Sequence, residues 1–372
     1  MASAESPSEV REETASPVEA LEGSASPPAR DSLTIGSVAY RSRAYLELNV
    51  ELTRKLNPSL DLARWLVVDN TPIGEDGRMP KTDARFEMLP GVKKPPLVKG
   101  HASLQHGKAL NRVVTSSKSR FLLLMDPDFF VVRKDWVSAV VEHMKKHRLA
   151  FFGVPWHPRW YRKWRYFPCT HCLFVDTSRI DKDELDFLPD ISHQPKPYHS
   201  MFLYELEWMW SRGEKLKALL TAARHPRITL AEDRIRRLVI GSSRDTGIEI
   251  FERFARRPGL RHETFTPVYR PREDRLVPPP DVRIDTRSPF REALERLRPD
   301  WMSFVPKRWG AYSKKGFSDH GLPDVRSRGW EEFLWEGKPF GFHVRKSFQR
   351  QQDPGELARD VEQTIDRVQA CL

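Results

Sequence analysis

The sequence predicts an α/β protein built on an open, mixed, mostly parallel sheet flanked by helices. Three observations carry that prediction. Continuous apolar runs of strand length occur at residues 65–69 and 121–125; helix-period segments lie between such runs; and both runs end in an acid, Asp69 and Asp126. A strand with no polar alternation is buried on both faces, which happens when crossover helices cover both sides of a parallel sheet.

Taken in order, residues 1–31 repeat Ser-Pro and Ala-Ser-Pro among glutamates. Such a stretch buries too little apolar surface to offset its ordering entropy, so it is expected to be a disordered acidic tail. Order begins with a strand at 33–40, followed by a helical pattern through Tyr45, Leu48, Leu52 and Leu56 that stops near Pro58. The strand at 65–69 leads into a turn-rich stretch at 70–80 and a shorter strand near 86–89. A helix over 102–116 then feeds the most apolar strand, 121–125. Residues 134–146 place Trp136, Val137, Val140, Val141 and Met144 on one helical face, and a further strand covers 149–154. Beyond Trp156 the texture turns aromatic and basic, and 267–306 is proline-rich with little periodicity, so architecture is not predicted there. Leu173-Phe174-Val175 reads as a buried strand, and 335–343 as a turn into a short strand ending at His343. The stretch 355–371 reads as a closing helix with Leu357, Val361, Ile365 and Val368 on one face. The expected divisions are 1–31, 32–180, 181–350 and 351–372.

Composition bounds the function. With 39% hydrophobic residues, 11 Trp and 20 Phe, the chain has material for a large core. The net charge is +11, but the first 31 residues hold two basic and seven acidic side chains, leaving 60 basic against 44 acidic on the rest. A basic body attracts nucleic acid, anionic lipid surfaces and diphosphates alike. Three cysteines are too few for a disulfide framework, no run approaches the roughly 20 apolar residues that span a bilayer, and the acidic start lacks the features of a signal peptide. The expectation is a cytoplasmic protein whose membrane contact, if it makes one, is peripheral at the inner face.

The sharpest chemical signal is Asp126-Pro127-Asp128. Ligands of open parallel sheets bind at the carboxyl ends of strands, and alternate acids just past a buried strand turn two hard carboxylates towards one point, a donor set for Mg2+ or Mn2+. The competing reading is a plain turn that caps the following helix.

The combination Val67-Val68-Asp69-Asn70, then His106-Gly107-Lys108-Ala109-Leu110-Asn111, then the run from Phe121 through Asp126-Pro127-Asp128-Phe129 resembles glycosyltransferase family 2 over roughly residues 33–180. The resemblance implies a GT-A fold, a nucleotide-sugar donor, Mn2+ or Mg2+, and inversion at the anomeric carbon. It makes 32–180 the nucleotide-sugar-binding half and 181–350 the acceptor-binding half and site closure, a C-terminal acceptor-side extension. It implies that Asp69 contacts the base, Asp126 lies near the ribose and the metal, Asp128 ligates the metal, and Lys108 and Asn111 line the nucleotide pocket. His343 is the third metal-ligand candidate, as a late histidine in such enzymes, with Arg345 or Lys346 near the diphosphate. An inverting transfer also needs a general base. Asp245, in an Asp-Thr-Gly segment, is the candidate, with an N-cap as its other reading; Asp233, beside Glu232, is the alternative, its other reading a solvated helix face. The acceptor is expected to be a saccharide or lipid-linked, as in cell-surface polysaccharide or glycoconjugate synthesis, and no nucleic acid is expected.

Other classes fit less well. Gly100 to Lys108 has the wrong glycine spacing for a P-loop and Ala109 where Ser or Thr belongs. Cys169-Thr170-His171-Cys172 is a single C-x-x-C without a second pair, a poor zinc site. A glycosidase sets its acids about 5–9 Å apart across a sugar, not on one turn. A sugar-phosphate nucleotidyltransferase is the nearer enzymatic rival, but residues 36–43 lack its glycine-rich, lysine-bearing loop. A non-catalytic polyanion binder would use the aromatic and arginine-rich stretch 156–166, and Asp-Pro-Asp would oppose it.

Overall fold

In a computed structural model of the chain, placement is described for residues 33–58, 64–81, 83–93, 101–160, 167–190, 215–224, 245–255, 257–270, 273–274, 312–344 and 354–370. The elements are β1 (Leu33–Ala39), α1 (Arg43–Leu56), β2 (Arg64–Asp69), β3 (Glu87–Leu89), α2 (His101–Ser116), β4 (Phe121–Met125), β5 (Phe129–Val131) and α3 (Trp136–His147). They continue with β6 (Phe151–Gly153), β7 (Cys172–Asp176), α4 (Lys215–Arg224), α5 (Ile248–Phe254), β8 (His262–Thr264), β9 (Thr266–Pro267), β10 (Glu331–Trp335), β11 (Lys338–His343) and α6 (Pro354–Ala370).

Seven strands form one open sheet in the order β3-β2-β1-β4-β7-β6-β8, in which only β7 runs antiparallel to its neighbours. This is the mixed, mostly parallel sheet that the apolar runs predict. Every residue of β4 is buried because its two faces serve two cores. Phe121, Leu123 and Met125 pack with α1, α3 and α6, whereas Leu122 and Leu124 pack with α2 and α5. Gly36 in β1 allows the α2 approach: a Cβ there would stand 2.2 Å from Val113 Cγ1.

Asn57 locks two helices together. Its amide donates to Thr53 O in the last turn of α1 (2.8 Å), while its Oδ1 accepts from Val137 N in the first turn of α3 (3.0 Å). The closing helix α6 buries Val361, Ile365 and Val368 in the α1 core.

A second, wholly antiparallel sheet, β5-β11-β10-β9, is absent from the sequence prediction. Its hairpin turns through Glu336 and Gly337, both at positive φ (53° and 74°), the pattern whose twist matches antiparallel strands. Asp126-Pro127-Asp128 is the corner between the sheets, since β4 ends at Met125 and β5 starts at Phe129.

Candidate metal centre at the corner between two sheets

The corner is held by backbone acceptors on both sides. Ser37 donates its hydroxyl to Met125 O (2.7 Å), Asn49 its amide to Pro127 O (2.6 Å), and Phe129 N its hydrogen to Asp126 O (3.1 Å). Each flanking ladder then delivers a histidine. Pairing of β4 with β7 continues through Asp126 N to His171 O (3.0 Å), which sets His171 opposite Asp126. Pairing of β5 with β11 aligns His343 with Phe129 and continues through Val344 N to Asp128 O (2.9 Å), which sets His343 beside Asp128. The β10–β11 register in turn places Glu331 across from His343.

Side chains converge accordingly. His171 Nδ1 lies 2.6 Å from Asp126 Oδ2, and His343 Nε2 lies 3.2 Å from Asp128 Oδ1. The two imidazole rings stand 4.3 Å apart, and one ligand atom from each of Asp126, His171 and His343 falls within 4.8 Å of the others. From α2, His106 Nε2 approaches Asp126 Oδ1 at 3.7 Å. His171 and His343 are buried, whereas His106 remains 28% exposed and the two aspartates 17% and 19%, so His106 and the carboxylates form the open side.

Burial alone would raise the Asp126 carboxyl, but the bond and charge of His171, and then the charge of His106, hold it below the usual aspartate range. Below the site, Tyr45 on α1 is pushed above the ordinary phenol range, first by burial and then by the charge of Asp128. Trp156 sets its ring edge-on to His171 at 4.4 Å.

These groups suit a divalent cation. His343 Nδ1 faces Glu331 Oε2 (3.3 Å) and Nε2 faces Asp128 Oδ1 (3.2 Å), so the tautomer with its proton on Nδ1 would leave the Nε2 lone pair to a cation beside Asp128. A lone pair facing a carboxylate is favourable only with a cation or proton between them, and a carboxylate behind the imidazole is the usual partner of a metal-bound histidine. Glu331 is fully buried and is itself held by Trp160 Nε1 (2.7 Å) and by Arg159 Nε (3.8 Å).

The remaining candidates fall in different places. Asp69 is buried at the end of β2 with both oxygens engaged, by Thr71 N and Met79 N at 2.8 Å each, and so shapes the 70–79 loop. Lys108 is exposed on α2. Asn111 joins α2 to the 186–187 segment, donating to the Asp186 carboxylate Oδ1 (2.7 Å) and accepting from Phe187 N (2.8 Å). Asp245 is buried; the residue capping α5 is Gly247, with no side-chain cap bond, so Asp245 is not the N-cap. Its turn lies against the turn that precedes β7 and holds His171: a Cβ on Gly247 would stand 3.5 Å from Thr170 Cγ2. Asp233, Glu232, Arg345 and Lys346 lie outside the described residues. Sequence reasoning missed His171 and Glu331. The first sits inside a C-x-x-C read only for zinc. The second belongs to a Glu-Glu pair that resembles solvated surface, yet both Glu331 and Glu332 are buried in β10.

The sheet order reverses between β1 and β4, and it is at such a switch point that open α/β sheets bind ligands. Fold and site therefore define an open α/β protein with a cluster of carboxylates and histidines at its switch point. No protein-family model matches the chain, and no curated protein matches it in sequence. Among solved structures, it matches the mannosyltransferase PcManGT from Pyrobaculum calidifontis at 13% identity and TM-score 0.29, over 43% of this chain and 48% of that one. It matches S. aureus TarS at 12% and 0.30, over 42% and 50%. It also matches glucosyl-3-phosphoglycerate synthase from Mycobacterium tuberculosis at 13% and 0.28, over 49% and 66%. These are GT-A glycosyltransferases, and the matched part spans about half the length of the first two. What this chain does is decided at the side chains of its own site.

Proposed function

We propose that the protein transfers a sugar from a nucleoside-diphosphate donor to an acceptor hydroxyl with the help of a divalent cation. One observation carries the reading: Asp126, Asp128, His171 and His343, from three separate stretches of chain, converge at the carboxyl end of β4 beside the switch point. The motif resemblance points the same way.

Asp126, Asp128, His171 and His343 would hold the cation. Two imidazoles with two carboxylates suit Mn2+ better than Mg2+, which takes nearly all-oxygen shells. When bound, the ion supplies Lewis acidity that neutralises charge on the departing diphosphate. The chain's own groups do the rest. The buried imidazoles and Trp156 hold the closed side of the site dry, while the partly exposed aspartates face the donor. We assign Asp245 the proton of the acceptor hydroxyl: the acceptor oxygen bonds to the anomeric carbon as that carbon's bond to the diphosphate oxygen breaks, with inversion. A saccharide or lipid-linked acceptor fits a basic body.

The test is donor binding and hydrolysis with UDP-, GDP- and dTDP-sugars, with and without Mn2+, in wild type beside Asp128→Asn. Mn2+-dependent turnover of one donor, reduced about 100-fold or more in the variant, supports the transferase. No response to any donor, together with salt-sensitive nucleic-acid binding that Asp128→Asn leaves unchanged, overturns it in favour of a polyanion binder.

A further inference from the structure

Large apolar side chains are exposed at few places among the described residues. Tyr40 and Ile73 stand singly, but Leu216, Leu219 and Leu220 lie together on α4, 71%, 55% and 50% exposed. Their spacing, i, i+3 and i+4, puts them on one face of the helix, and Ala223, also exposed, extends that face by a turn. Three bulky side chains held in water on one face cost free energy that burial would recover.

The charge of the same helix says what would bury them. Lys215–Arg224 reads KLKALLTAAR, with Lys215, Lys217 and Arg224 and no acid. A second copy of a chain with net charge +11 would be repelled by a helix without acids, whereas an anionic lipid surface matches both properties. The leucines enter the boundary between headgroups and acyl chains, and a segment with three basic residues and no acid is attracted to a layer of phosphates. The helix is ten residues long, too short to span a bilayer, and no helix among the described residues is long and apolar enough to do so. The net charge of +11 adds long-range attraction towards the same surface.

We infer that α4 docks the protein on anionic membrane surfaces by inserting the Leu216–Leu219–Leu220 face. This stands independently of the transfer reaction, and would bring the protein to lipid-linked acceptors.

The experiment is co-sedimentation of the full chain with vesicles of phosphatidylcholine alone and of phosphatidylcholine mixed with phosphatidylglycerol, without donor or metal. It compares wild type, Asp128→Asn, and the triple variant Leu216→Gln, Leu219→Gln and Leu220→Gln; glutamine keeps helix propensity close to that of leucine. Wild type and Asp128→Asn should bind only the anionic vesicles, more weakly at about 1 M than at about 0.1 M salt, where screening lengths are roughly 3 and 10 Å. The triple variant should lose about ten-fold or more of that partitioning while melting at the wild-type temperature. Wild type that ignores anionic vesicles, or a triple variant that binds as well as wild type, overturns the inference. So does a concentration-dependent dimer in light scattering that the triple variant abolishes while vesicle binding is absent. Loss of donor turnover in Asp128→Asn with vesicle binding intact separates this surface from the catalytic reading.

Discussion

His343 shows how much a single contact settles. Its Nδ1 faces a fully buried carboxylate and its Nε2 faces Asp128, so a proton held on Nδ1 by Glu331 would leave Nε2 free to ligate a cation. Glu331→Gln keeps the shape and removes the charge. Mn2+ affinity, read by titration calorimetry or electron paramagnetic resonance, should fall about 10- to 100-fold; unchanged affinity would mean that Glu331 only fills space. The neighbouring Glu332 acts differently. Burial pushes its carboxyl up to about 7 from 4.5, despite bonds from Phe317 N and Val325 N. The fold therefore keeps a proton that the unfolded chain has already released, so this contribution is full below pH 4.5 and disappears as pH rises through 7. His157 has the opposite sign. Burial, then Arg159, lowers it from 6.5 to about 4, so its contribution is full above 6.5 and is lost as pH falls towards 4. Glu332→Gln should remove the falling arm, and its melting temperature should climb from pH 4.5 to 6.5 more steeply than that of wild type. Parallel profiles for the two proteins would show that Glu332 does not titrate in this range. Of these residues, Asp126, Asp128 and His343 are legible in the sequence as donors near strand ends. Glu331 is not, because two adjacent glutamates look solvated until a strand buries them.

Elements bring the donors together, and two glycines separate packing from positioning. A Cβ on Gly341 in β11 would stand 2.5 Å from Phe130 O in β5, the ladder that carries His343 to Asp128. A Cβ on Gly36 in β1 would stand 2.2 Å from Val113 in α2, away from that ladder. Either glycine changed to alanine should cost about 1–3 kcal/mol of stability. Only Gly341→Ala should also weaken Mn2+ binding, even though every ligand residue is intact. Equal losses of affinity in the two variants would refute a positioning role for the β5–β11 ladder. All the main-sheet strands except β8, and the helices through α3, are visible in the sequence because an apolar run needs no partner to declare itself; β8, His262–Thr264, is too short and polar to do so. β5 is three residues long and follows directly from the turn, so no local pattern distinguishes it.

At the scale of the whole molecule, the candidate centre joins the two sheets: Asp126 and His171 flank the ends of β4 and β7, Asp128 precedes β5, and His343 ends β11. A ligand that binds only the folded state stabilises all of it, by about 2.7 kcal/mol at 100 times its dissociation constant. Saturating Mn2+ should therefore raise the melting temperature by about 2 °C or more, and Asp128→Asn should abolish the rise. A shift that survives in the variant would place the ion elsewhere. Apolar runs, helix periods and strand-terminal acids, read along the chain, were enough for the open α/β sheet, its central strand and the Asp126–Asp128 turn, because burial on both faces and strand-end chemistry are local properties. The second sheet and the meeting of residue 126 with 171, and of 343 with 128 and 331, came from strand pairing. Pairing register is set by contacts between segments up to 215 residues apart, and no local pattern encodes such contacts.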